Sequence, residues 1–186
     1  MGGWLCFRAA AFEPRIKRVI ASSIAFDCMQ IPSLPLRMLV AVLLRSRGLM
    51  NYLSGLKMKA SYQERWGINN LMYITRTRSP MDATDVLLRF NERNLHLDLV
   101  KQDVLILTGA EDHLIPLKMH FKQVRALKNA RSVTARTFTK EEHGENHCQV
   151  GNTRTFTKEG HGENHCQVGN IGLALAVMLR WIEERA

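Results

Sequence analysis

The spacing of apolar residues divides the chain into alternating strand and helix signals. Three apolar, β-branched stretches predict buried strands over Ile16–Phe26, Asp103–Thr108 and Ser132–Thr139. Helical periodicity predicts helices over Gly3–Phe12, Pro116–Leu127 and Ile171–Glu184, and a longer helical region over Leu36–Phe90. Strands that alternate with helices favour a parallel sheet. The predicted fold class is therefore α/β.

The long helical region separates the first predicted strand from the second. Pro32 and Pro35 break the chain before it, and Ser79-Pro80-Met81-Asp82 predicts a helix start inside it. We interpret this region as an all-helical insertion. The predicted organisation is then an opening helix and strand in residues 1–33, the insertion in residues 34–100 and a closing α/β part in residues 101–186.

An internal repeat lies in the closing part. Residues 136–152 are RTFTKEEHGENHCQVGN and residues 154–170 are RTFTKEGHGENHCQVGN, so the copies differ only at Glu142 against Gly160. Solenoid repeats have diverged copies and need about three or more of them to bury a core. Two nearly identical copies instead indicate a tandem duplication within one loop, in which only one copy can occupy the original position.

Composition and charge exclude several classes of protein. Lys and Arg exceed Asp and Glu by 26 to 17, but the basic residues are scattered without a compact run, so we expect no nucleic-acid partner. The longest strictly apolar run, Met38–Leu44, is far shorter than the ~20 residues that a bilayer span needs. We expect no membrane crossing. No secretory signal is found, which favours a cytoplasmic protein with reduced cysteines.

Candidate catalytic residues follow the last two predicted strands. Asp112 lies in TGAEDHLIP directly after one strand, and His147 lies in EEHGENHC after the next. In open parallel sheets, reactive groups lie beyond the carboxyl ends of the strands. An acid followed by a histidine is the second half of the Ser, Asp, His chain order of α/β-hydrolases. The alternatives are a turn or helix-capping role for Asp112 and a surface-loop position for the histidine.

Other nucleophiles and a metal site are less well supported by the sequence. Ser22 and Ser23 lie within a predicted strand, without the strained turn that exposes a nucleophile. Each repeat copy also carries H-x-x-x-H-C, which collects six nitrogen and sulfur ligands in His143, His147, Cys148, His161, His165 and Cys166. Duplication explains that number without a metal, and H-G-E-N-H is not the H-E-x-x-H zinc motif. We therefore expect neither a metal nor another cofactor.

Four stretches of the chain carry a family resemblance: GGWLCFRAAAFEPRIK, ERWGINNLMYI, VLILTGAEDHLIPLKMHFKQVRALKNARSVTARTFTKEE and ENHCQVGNIGLALAVMLRWIEE. They closely resemble α/β-hydrolases of the dihydropseudooxynicotine-hydrolase and fermentation-respiration-switch esterase type, and the resemblance spans nearly the whole chain. It implies the C-terminal part of an α/β-hydrolase fold, with the helical insertion as a lid. It also implies hydrolysis of a small ester, amide or ketone-type substrate, with Asp112 as the catalytic acid and the histidine of ENHCQVGN, present as both His147 and His165, as the general base.

The resemblance also implies that the nucleophile is missing. Gly2-Gly3 match the Gly-Gly of the Gly-x-Ser-x-Gly-Gly elbow, so the serine would fall immediately before Met1. We expect the N-terminal half of the fold to be missing as well. Two function classes stay open: a hydrolase-family protein that is inactive alone, and a non-catalytic remnant that binds a ligand or a partner.

Two further expectations concern the repeat and the sheet. The first copy continues the β-patterned stretch SVTARTFT, so we expect His147 to approach Asp112 and Thr153–Asn170 to loop out.

Without flanking strands, Ile16–Phe26 would lie at a sheet edge with unpaired backbone groups. We therefore expect the isolated chain to self-associate.

Overall fold

The computed structural model describes residues 2–22, 26–112, 115–142 and 171–185. The chain divides into two units. We call Met1–Phe26 together with Glu92–Ala186 the sheet unit, and Asp27–Asn91 the helical unit. Each is described by itself.

The sheet unit contains three parallel strands, β1 (Arg18–Ser22), β2 (Asp103–Gly109) and β3 (Ser132–Phe138), in the order β1-β2-β3. The register pairs Arg18 with Asp103 and Asp103 with Ser132, so the three strands begin level with one another. All seven residues of β2 are buried, as expected for the central strand of a parallel sheet covered on both faces.

Helices surround this sheet. They are α1 (Gly2–Phe12), the single turn α6 (Glu92–Leu95), α7 (Leu117–Ala126) and α8 (Ile171–Glu183), with a 3₁₀ turn at Leu97–Leu99. On one face, Leu105 and Leu107 of β2 pack with Phe138 and with Ala174 and Trp181 of α8. On the other face, the side-chain amide of Gln102 donates from Nε2 to the carbonyl oxygen of Ala10 in α1 at 2.8 Å. Helices α1 and α8 therefore lie on opposite faces of the sheet.

The helical unit contains α2 (Leu34–Leu43), α3 (Arg47–Ala60), α4 (Tyr62–Thr75) and α5 (Pro80–Leu87), after a 3₁₀ turn at Cys28–Gln30. Ser79 caps α5 by accepting a hydrogen bond from the amide of Asp82 at 3.1 Å, and Pro80 follows at the first helical position. Helix α3 contacts α5 through Asn51 Oδ1, which accepts from the amide of Met81 at 2.9 Å. The helix start predicted at Ser79-Pro80 is confirmed.

The predicted α/β class with a parallel sheet is confirmed, and one strand is shorter than predicted. The prediction was Ile16–Phe26, whereas β1 spans Arg18–Ser22. The ladder between β1 and β2 begins with the pair Arg18 and Asp103. Ile16 and Lys17 lie before that pair, so neither residue has a ladder partner in β2. Phe26 is fully buried but lies outside the strand, just before the Asp27 cap of a 3₁₀ turn. Its apolar character reflects burial in the core and not strand pairing.

Among the residues that the structure describes, no helix combines the length and the apolar character needed to cross a bilayer.

Candidate active site

Asp112 lies just beyond the carboxyl end of β2, in the short connection that leads to α7. Its side chain is buried, and Oδ1 accepts a hydrogen bond from the backbone amide of Ile115 at 2.8 Å. This bond joins residues three apart and turns the chain toward α7, whose own N-cap, Pro116, gives no side-chain cap. The carboxylate is therefore held in one position at the end of the central strand.

The end of β3 lies directly beside this connection. Gly109 pairs with Phe138, and the amide of Ala110 donates to the carbonyl oxygen of Phe138 at 2.9 Å. Because the two parallel strands end together, the segment after Phe138 starts at the same edge of the sheet as Asp112. This is the position that a Ser, Asp, His order assigns to the chain leading to the histidine.

The turn after β3 is closed by Glu142. Its Oε1 forms an ion pair with Arg136, and its Oε2 accepts a hydrogen bond from the amide of Thr139 at 3.0 Å. The amide of Glu142 in turn donates to the carbonyl oxygen of Thr139 at 3.2 Å. Glu142 is the one residue that differs between the repeat copies, where Gly160 is its counterpart. Glycine has no side chain to make these contacts. The sequence showed the difference but not this role.

Helix α1 starts at the same edge of the sheet as Asp112. It packs against β1, and only a short connection separates Phe12 from Arg18, so the helix and the strand run in opposite directions. The hydrogen bond between Gln102 and Ala10 places the end of α1 at the amino end of β2. The start of α1 therefore lies toward the carboxyl ends of the strands, and its helix dipole presents a partial positive charge there.

The candidate bases lie outside the described residues. This applies to both His147 and His165, to the cysteines Cys148 and Cys166 that follow them, and to Thr153–Asn170. The structure therefore gives the position of the candidate acid only. Within the described ranges, no group of three or more His, Cys, Asp or Glu side chains could hold a metal ion.

Ser22, Cys6 and Cys28 are described hydroxyl and thiol groups outside the candidate triad. Ser22 is the last residue of β1, paired with Leu107 in the ladder, and Ser23 lies outside the described residues. Cys6 is a free thiol on the exposed side of α1, and Cys28 is a free, half-buried thiol. Burial, followed by the charge of Asp27, raises the pKa of Cys28, so its thiol stays protonated and weakly nucleophilic at neutral pH.

His120 is a buried titratable residue that the sequence motifs did not single out. It lies on α7 with its ring edge-on to Phe121, the ring centroids 5.4 Å apart. Burial lowers the pKa of this imidazole, so it is neutral at pH 7. The sequence signal for its burial is its position next to Met119, on the side of α7 that faces the core. We interpret His120 as a core residue.

No family model matches this chain, and no curated protein matches it either.

Proposed function

We propose that this chain carries the acid and the base of an α/β-hydrolase active site, with Asp112 as the acid and His147 as the base. The observation that supports the proposal best is the position of Asp112. It is buried at the carboxyl end of β2, beside the end of the strand that leads to the histidine segment. The helical unit would then act as a lid over a small ester, amide or ketone-type substrate.

The environment of Asp112 suits the role of an acid in such a triad. In this mechanism the acid holds the imidazole in one tautomer and stabilises the imidazolium that forms when the base takes a proton. A fixed carboxylate is needed for that role. The hydrogen bond from Ile115 to Oδ1 and the burial of the side chain fix the carboxylate in this way.

His147 is favoured over His165 by the contacts of Glu142. The first copy of the repeat continues β3 through a turn that the Glu142 carboxylate closes, and Gly160 cannot replace that carboxylate in the second copy. A neighbouring carboxylate raises the pKa of a histidine. Titration of the histidine ring protons by NMR, in the wild type and in Asp112→Asn, tests the choice. We expect the substitution to lower the pKa of His147 and to leave His165 unchanged; the reverse would assign His165 as the base.

The chain alone is proposed to lack turnover. No Gly-x-Ser-x-Gly elbow, the motif that presents the nucleophilic serine in α/β-hydrolases, occurs among the 186 residues. Loss of the serine from a catalytic triad lowers turnover by a factor on the order of 10⁶. We expect hydrolysis of a p-nitrophenyl ester by the wild type and by Asp112→Asn to be equal. A serine-directed fluorophosphonate that labelled Ser22 stoichiometrically would overturn this part of the proposal.

A non-catalytic protein that binds a small ligand or a partner is the second candidate. The observation that favours it is the position of Ser22 within a ladder, which leaves no described serine on a nucleophile turn near Asp112. The DNA immediately upstream of the Met1 codon distinguishes the two candidates. In-frame codons for Gly-x-Ser would support the hydrolase, whereas an in-frame stop codon would support the binding protein.

Self-association and a cytoplasmic location complete the proposal. Strand β1 is an edge strand of the described sheet, and Val19 and Ala21 alternate with half-buried residues along it. Edge strands with free backbone groups pair readily with another chain. Size-exclusion chromatography with light scattering should therefore show a dimer or larger species, and a sharp monomer peak at 21.2 kDa would contradict it.

The free thiols of Cys6 and Cys28 support a reducing compartment.

A further inference from the structure

A cavity of about 400 Å³ lies at the amino ends of the three strands. Its walls include three basic side chains, Lys17, Lys101 and Arg131, and we call it the basic cavity. Asp112 lies at the other end of β2, and a strand of this length spans roughly 20 Å. The basic cavity is therefore separate from the candidate active site and needs its own explanation.

The strand register brings the basic residues together. Arg18, Asp103 and Ser132 are the first residues of β1, β2 and β3 and lie level in the ladder, so the residues just before each strand meet at this edge. The amide of Arg131 donates to the carbonyl oxygens of Lys101 and Gln102, both at 3.2 Å. Backbone hydrogen bonds therefore fix where at least two of the three basic side chains emerge.

Two of the three basic residues of the cavity have no carboxylate partner within the part of the chain that the structure describes. Lys17 and Lys101 have no carboxylate partner among the described residues, and no acidic side chain lines the cavity. Arg131 donates from Nε and Nη2 to the carboxylate of Asp103, which neutralises one of the three charges. Two lysines that line one cavity therefore keep a positive charge that a bound anion would complement.

Apart from the basic residues and Gln102, the residues that line the cavity are apolar. Phe12 at the end of α1, Ile16 before β1 and Leu99 before β2 all line the cavity. Its volume lies within the range of roughly 300 to 1,000 Å³ that is usual for small-molecule sites. We propose that the basic cavity binds a small organic anion, a carboxylate or phosphate monoester whose apolar group contacts Phe12 and Leu99 and whose charge lies near Lys17 and Lys101.

Phenyl phosphate and inorganic phosphate are suitable probes. We expect titration of the ¹⁵N-labelled chain to shift the side-chain amide resonance of Gln102, with phenyl phosphate binding more tightly than inorganic phosphate. The double variant Lys17→Gln/Lys101→Gln should bind phenyl phosphate about tenfold more weakly or worse, because it loses two charge-assisted contacts. The matched variant Lys57→Gln/Lys59→Gln removes the same charge from exposed positions on α3 and should bind as the wild type does.

Several outcomes would overturn the proposal. Equal weakening in both double variants would show that binding follows the overall positive charge of the chain. Equal affinity for the two probes would show that the apolar walls contribute nothing, and an unshifted Gln102 resonance would place binding elsewhere. Lys17→Arg/Lys101→Arg should retain binding, and far-UV circular dichroism of every variant should match the wild type. These measurements do not depend on hydrolase activity, so the proposed function can fail separately.

Discussion

The sheet unit and the helical unit use apolar residues in different ways. Helices α8 (IGLALAVMLRWIE) and α2 (LPLRMLVAVL) are both rich in them, but α8 buries Ala174 and Trp181 while α2 buries no residue. Within Asp27–Asn91 only Met81 and Ala83 are buried. A helix that is apolar on all sides is normally buried. Apolar composition alone therefore does not decide whether a helix is buried here. Helix α8 buries residues because it packs against the sheet.

The difference implies an uneven distribution of stability. Burial of apolar area is the main favourable term in folding, and β2 with its neighbours supplies most of the fully buried side chains. The helical unit is held instead by caps and by exposed ion pairs such as those of Arg47 with Asp82 and Asp85. Segments with few buried contacts open first in the native state. We expect the helical unit to exchange its amide hydrogens before the sheet unit does.

The largest expected effect comes from truncating the same residue type in the two units. Leu105 is fully buried in β2 and Leu39 is 55% exposed on α2. Leu105→Ala should lower the free energy of unfolding by about 2–5 kcal/mol, since it leaves a cavity in the sheet core. Leu39→Ala should change it by less than about 0.5 kcal/mol. Urea unfolding measures both, and a comparable loss from Leu39→Ala would show that α2 is covered in solution.

The second expected effect compares two ion pairs. Asp103 is buried at the start of β2, where its carboxylate binds Arg131 and accepts from Ser132 Oγ at 2.8 Å. The hydrogen bond from Arg131, together with the hydrogen bond from Ser132 and the positive charges of Arg131 and Arg185, lowers the pKa of Asp103 from 3.8 to about 2. The ionised form is favoured in the folded state, so this stabilisation is present above about pH 4 and is lost as the pH falls through about 2.

Asp103→Asn should therefore lower the free energy of unfolding by about 1 kcal/mol at pH 7. The effect is this small because the Arg131 guanidinium is largely exposed to water, which weakens the ion pair. It should also flatten the pH dependence of unfolding between about pH 4 and pH 2. Asp85→Asn removes an exposed partner of Arg47 in the helical unit and serves as the control. An equal loss in both variants would remove the distinction between the two units.

Sequence patterns predicted the elements of the sheet unit well, because burial on both faces leaves a clear apolar signal. Asp103–Thr108 matched β2 to within one residue, and the position of Asp112 followed from the end of that strand. The level starts of the three strands, which bring Lys17 and Arg131 to the same cavity, could not be predicted, since a sequence does not show the register between distant strands. The role of Glu142 in closing the turn could not be predicted either, because the sequence does not show that its carboxylate contacts Arg136 and Thr139.

The smallest expected effect tests how far the fixed structure of the sheet unit extends beyond β3. Glu142→Gly copies the second repeat into the first and removes both the ion pair with Arg136 and the hydrogen bond from Thr139. We expect a loss of about 0.5 kcal/mol in the free energy of unfolding, because both side chains of the ion pair are partly exposed to water. Lys140→Gly makes the same backbone change at an exposed residue of the same turn and should cost less. If the two variants lose the same stability, glycine flexibility explains the effect, the Glu142 carboxylate does not close the turn, and the preference for His147 over His165 loses its support.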